Sequence, residues 1–85
     1  MTPPGYWMHE TSGVVRPAVE AYLGGGPMTT KQIVTLRAYL RQWIMAPAWR
    51  GPEIEELRAD IDGLTSRAAI SRWIDRAVTE GIDPL

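Results

Sequence analysis

Four interruptions cut this chain into pieces that only a set of short helices could use. Gly24-Gly25-Gly26-Pro27 is the first, and Ala46-Pro47-Ala48-Trp49-Arg50-Gly51-Pro52 is the second. Gly63 and Gly81 follow as single glycines. Glycine and proline punctuate regular structure because one adopts backbone angles that other residues avoid and the other lacks an N–H. Between these breaks the apolar residues recur every three to four positions, the signature of a helix with one buried face. No segment alternates in the manner of a strand. The expected fold is all-α: a compact bundle of three to four short helices, preceded by an irregular aromatic arm over residues 1–12.

The pieces read as follows. Val14 to Leu23 carries Val15, Ala18, Val19 and Tyr22 on one face, with Pro17 tolerated in the first turn. Thr30 to Ala46 is the strongest helix. Thr29 and Gln32 before it make a capping box, in which each side chain satisfies a free backbone N–H. Ile33, Leu36, Leu40, Trp43 and Ile44 form its main apolar stripe. Val34, Ala38 and Met45 form a second stripe, so this helix is expected to be packed on two sides and central.

Glu53 to Asp62 is an acidic helix with Ile54, Leu57 and Ile61 inward, and Pro52 suits its first position. Its early carboxylates favour the positive end of the helix dipole. Ser66 to Glu80, capped by Thr65 or Ser66, points Ile70, Trp73, Ile74 and Ala77 inward and stops at Gly81. Arg72, Asp75, Arg76 and Thr79 are expected on its outer side. Ile82 is placed to tuck back onto the last turn.

Charge is sorted along the chain in a way that the net value of −1 conceals. Residues 21–52 contain Lys31, Arg37, Arg41 and Arg50 and no acid, a charge of +4. Residues 53–62 contain Glu53, Glu55, Glu56, Asp60 and Asp62 against Arg58, a charge of −4. Two consequences compete. Arg37 and Arg41 can pair with Glu53, Glu56 or Asp60 and orient one helix on the other, at about 0–1 kcal/mol per exposed pair. Alternatively Trp7, Arg37, Arg41, Trp49 and Arg50 face outward as a cationic-aromatic patch, since Arg and Trp are enriched at binding hot spots. Glu55, Glu56 and Asp60 would then offer a separate acidic face to a basic partner.

Leu57 to Gly63 followed by Ser66 to Ile74 resembles a helix-turn-helix. Ala59 and Gly63 stand where that motif often has Ala and a turn Gly, and Ile70 and Trp73 stand at its buried positions. The resemblance implies a recognition helix that presents Arg67, Ser71 and Arg72 to a major groove, in a homodimer. Against it, Leu64-Thr65 lengthens the turn by one residue. The helix meant to cross the phosphates carries five carboxylates, and the other cations are dispersed.

Catalysis has little to build on. His9 is the single histidine and there is no cysteine, so thiolate ligands and nucleophilic Cys-His chemistry are absent. Gly24-Gly25-Gly26 with Lys31 lacks the spacing of a phosphate loop, and Gln32 stands where Ser or Thr should follow the Lys. The chain lacks a long apolar run and a secretory start, which points to the cytoplasm. With 85 residues it makes one domain that buries about 60% of its unfolded surface. The expected function is therefore a non-catalytic protein-interaction module without cofactors or membrane association, with helix-turn-helix DNA binding as the alternative.

Overall fold

The structure is a computed structural model that describes residues 15–85. The expected arm over residues 1–12, with Trp7 and His9, lies outside the described residues. Within them the chain is all-α: α1 (Val15–Leu23), α2 (Thr30–Ile44), α3 (Pro52–Asp60), a 3-10 turn (Ile61–Gly63) and α4 (Arg67–Thr79). No strand forms among the described residues. No described helix is long and apolar enough to cross a membrane.

Local chemistry sets the ends of these helices. At α2 the Thr29 hydroxyl accepts from the Gln32 N–H at 3.1 Å, and the Thr29 N–H donates to Gln32 Oε1 at 2.9 Å. Both halves of the capping box are therefore made. Ser66, rather than Thr65, caps α4 by accepting from the Ala69 N–H at 3.1 Å. Gly51 enters α3 at φ +128°, a conformation open to glycine, and hands over to Pro52 at the first helical position.

At the end of α4, Gly81 takes φ +81°. Its N–H reaches the Val78 carbonyl and the Ile82 N–H reaches the Ala77 carbonyl, each at 2.9 Å. This paired closure satisfies two carbonyls of the last turn and turns Ile82 inward. Ile82 is buried, as its spacing suggested.

The core follows the main stripes. Ala18 and Val19 of α1, Leu36, Leu40, Trp43 and Ile44 of α2, and Ile54 and Leu57 of α3 are buried. They meet Ile61, Leu64, Ile70, Trp73, Ile74 and Ala77. Burying each large aliphatic or aromatic side chain contributes about 1.5–3 kcal/mol, so this cluster is the main source of stability. Tyr39 joins it from the edge of the α2 stripe. Pro84, in the tail after α4, is also buried, and the Tyr39 hydroxyl donates to its carbonyl at 3.4 Å. α2 touches α1, α3 and the 3-10 turn, and α4 packs on α3.

One expectation about α2 fails. Its second stripe is not packed: Val34 is 46% exposed, Met45 is 39% exposed, and Ala38 is exposed between them. α1, α3 and the 3-10 turn pack on α2, α4 packs on α3, and none of the described helices covers the second stripe. The boundaries also shift slightly. α2 stops at Ile44, two residues early, because the chain turns at Met45 to build the cap described next. The acidic helix tightens into a 3-10 turn at Ile61.

The last carbonyls of α2 are held from downstream. The Arg58 Nε donates to the Ile44 carbonyl at 2.9 Å, and its Nη2 donates to the carbonyls of Ala46 at 3.1 Å and Trp49 at 3.0 Å. Its Nη1 meets Glu55 Oε1 at 2.7 Å. The Trp49 indole N–H donates to the Trp43 carbonyl at 3.1 Å, and the two rings lie 4.8 Å apart, inclined by 37°. A guanidinium at the negative end of a helix dipole, bonded to carbonyls that lack intrahelical partners, satisfies two requirements together. Across the α3–α4 junction, the indole N–H of Trp73 (1% exposed) donates to the Leu57 carbonyl at 2.9 Å.

Arg58→Ala should lower stability by about 2–3 kcal/mol, because hydrogen bonds from a charged donor are lost at a side chain only 21% exposed. In a domain of this size that is a fall of roughly 10–20 °C in melting temperature, readable by circular dichroism. Arg58→Lys should recover less than half of the loss, since an ammonium cannot span three carbonyls as the planar fork does. A melting temperature unchanged in Arg58→Ala would remove Arg58 from the account of the fold. Gly81→Ala should cost about 1–2 kcal/mol by the same melt, through its left-handed backbone alone.

Candidate interaction surfaces

The residues expected to form one cationic-aromatic patch are divided by the fold. Trp49 is half-buried and spent on the α2 cap. Arg50 next to it is exposed. Arg37 is half-buried, and its Nη1 donates to the Leu64 carbonyl at 3.1 Å. Arg41 is exposed and its Nε lies 3.3 Å from Asp62 Oδ1, in the 3-10 turn.

Neither arginine pairs with Glu53, Glu56 or Asp60, which corrects the pairing expected from charge order. The reason is geometric. The 3-10 turn brings Asp62 and Leu64 against α2, while the outer carboxylates of α3 turn toward α4. There Arg76 takes them, with Nη1 at 2.7 Å from Asp60 Oδ2 and Nη2 at 3.8 Å from Glu56 Oε2. Arg76 is thus a cross-helix tie and not a free outer residue.

The acidic face is consequently partly neutralised. Glu55 is held by Arg58, and Glu56 and Asp60 share Arg76. All three keep most of their side chains in solvent. Two shallow grooves flank Arg76. One, about 140 Å³, is lined by Glu53, Glu56, Leu57, Thr79 and Glu80 as well as Arg76. The other, about 290 Å³, runs along Leu64, Ala69, Arg72 and Trp73. Both lie below the roughly 300–1,000 Å³ of ordinary small-molecule sites.

The residues expected to read DNA are also divided. Arg67 is half-buried: its Nη2 donates to the Tyr22 carbonyl at 2.9 Å and its guanidinium lies 5.1 Å from the Tyr22 ring centre. It joins α4 to α1, and its buried Nε has no acceptor. Ser71 is half-buried. Only Arg72 is both exposed and outside the ion pairs of the fold.

Among the described residues, the outward side of α2 is one accessible surface, besides the exposed Leu23 of α1 and Val78 of α4. By the 100° step of the helix, Lys31, Val34, Ala38 and Arg41, continued by the capping residue Met45 just past its end, lie on the side opposite Leu36, Leu40 and Trp43. Arg37 stands at its border. All five are exposed, and no carboxylate occurs in α2. The sequence marks Val34, Ala38 and Met45 as a stripe but suggests that it is packed, and it does not place Lys31 or Arg41 on it.

Searches of protein-family models, curated proteins and solved structures find no match to this chain.

The Arg76–Asp60 pair should show a coupling of about 0.2–1 kcal/mol in a double-mutant cycle, reflecting its partial exposure. The Arg41–Asp60 cycle should show none. Urea denaturation of the two sets of variants separates these results, and coupling between Arg41 and Asp60 would contradict the arrangement.

Proposed function

We propose that this protein is a small non-catalytic interaction module, an adaptor, inhibitor or accessory factor, that binds another protein through the outward side of α2. The observation that carries this reading is the exposure of Val34 and Met45 on the side of α2 opposite the core, among Lys31, Arg37 and Arg41. An isolated exposed apolar residue is ordinary, but a line of them along one helix suits a partner helix. Arg37 and Arg41 keep a role from the original set of candidates, as the cationic border of that line. Trp49 belongs to the fold. Glu55, Glu56 and Asp60 supply at most a secondary acidic contact, because Arg58 and Arg76 already engage them. A reducing compartment such as the cytoplasm suits a chain without cysteine.

The test uses tagged full-length protein to capture partners from nuclease-treated native lysate, beside a Val34→Asp/Met45→Asp variant. Both positions are exposed, so the variant should melt within a few degrees of the parent protein. Its captured protein partner should disappear. Equal capture by parent and variant would refute the assignment to α2. Recovery that vanishes with nuclease would instead favour DNA binding through α4.

A further inference from the structure

The chemistry of the α2 stripe specifies its occupant more narrowly, and the following inference rests on the interaction reading above. We infer that the outward side of α2 seats an acidic amphipathic helix of a partner protein.

Spacing is the first reason. Lys31, Val34, Ala38, Arg41 and Met45 follow one another at intervals of three, four, three and four. That is the seam spacing by which one helix lies along another at a shallow angle. The fifteen residues of α2 span about 22 Å, enough for roughly four turns of a docked helix. Small Ala38 lets the backbones approach, while Val34 and Met45 stand as knobs on either side. Met suits such a surface because its flexible, polarisable side chain adapts to the opposing residue.

Charge is the second reason, and it separates the possible occupants. α2 carries Lys31, Arg37 and Arg41 and no acid, a charge of +3. A second copy of α2 laid on the first would bring +3 against +3, which disfavours self-pairing. An acidic helix instead places carboxylates beside all three cations while its apolar stripe covers Val34 and Met45. Nucleic acid would meet the cations, but its phosphates would lie over an apolar centre that gains nothing from them. Three cations also give a weak electrostatic footprint.

The Arg41–Asp62 pair is the third reason. Its geometry already holds a carboxylate at Arg41, 3.3 Å away. The two side chains are 53% and 74% exposed, so the pair contributes little to the fold. A partner carboxylate can replace Asp62 there with almost no loss elsewhere. Asp62 thereby acts as a weak internal competitor for the partner's charge.

The experiment titrates the full-length protein with three labelled peptides of equal length, read by fluorescence anisotropy and by amide chemical shifts. The first has leucines at helical three- and four-residue spacing with flanking glutamates. The second replaces every glutamate with lysine, and the third scrambles the first. The glutamate peptide should bind at least about tenfold more tightly than either other peptide, with the largest shifts at Val34, Ala38 and Met45. Arg41→Glu should narrow or invert that preference, an outcome that loss of folding cannot imitate. Asp62→Asn should tighten binding of the glutamate peptide severalfold.

Equal binding of the first two peptides, no binding of the first, or shifts confined to other helices would overturn the inference. So would sedimentation showing self-association through α2. If the peptides fail while Val34→Asp/Met45→Asp still abolishes partner capture, the acidic-helix chemistry is wrong and the interaction reading stands. If capture is unaffected by that variant, the interaction reading itself falls.

Discussion

The guanidinium of Arg58 holds together the part of the fold that helix propensity could not. α2 ends with carbonyls that have no intrahelical partner, and the segment after it contains two prolines and a glycine. Left alone, that end would fray and the connection would wander. Arg58 reaches from α3 to the carbonyls of Ile44, Ala46 and Trp49, fixing the helix end and the connection. Trp49 completes the cap by giving its indole N–H to Trp43 and laying its ring against the Trp43 ring. With that end fixed, α3 is aimed so that Ile54 and Leu57 meet the core and the Leu57 carbonyl meets Trp73. Arg58 thus ties α3 to the end of α2 and to the connection between them.

The same geometry redistributes charge. A +4 segment followed by a −4 segment invites the idea of two helices zipped by their charges. The fold does something different. The arginines of α2 reach the 3-10 turn and the residue after it, and Arg58 and Arg76 take up carboxylates of α3. Exposed pairs at this energy cannot direct packing against a core of buried Leu, Ile and Trp. They form where packing has already placed them. α2 is therefore left with its cations near solvent, next to an apolar stripe that the other helices do not reach.

That remainder links fold to function. A small bundle has limited surface with which to cover itself, and among the described residues the outward side of α2 is a helical surface left uncovered, with cations and no acid. Residues that looked functional in the sequence divide accordingly. Trp49 and Arg67 are consumed by the tertiary structure. Arg41 stays available because its partner, Asp62, is even more exposed than itself.

From residue order alone came the all-α class, the helical segments, the Thr29 capping box and the main inward stripe of each helix, though not the fate of the second stripe of α2. Each follows from interactions within about four residues, whose geometry the backbone fixes locally. The inward turn of Ile82 was legible for the same reason. The burial of Tyr39 was not, since its hydroxyl meets the Pro84 carbonyl forty-five positions away. The charge pairings, the role of Arg58 and the exposure of Val34 and Met45 were likewise decided by the tertiary structure. An amphipathic pattern shows which positions can be buried, but burial requires a covering element. Which stripe of α2 receives one depends on how three short helices share a single core.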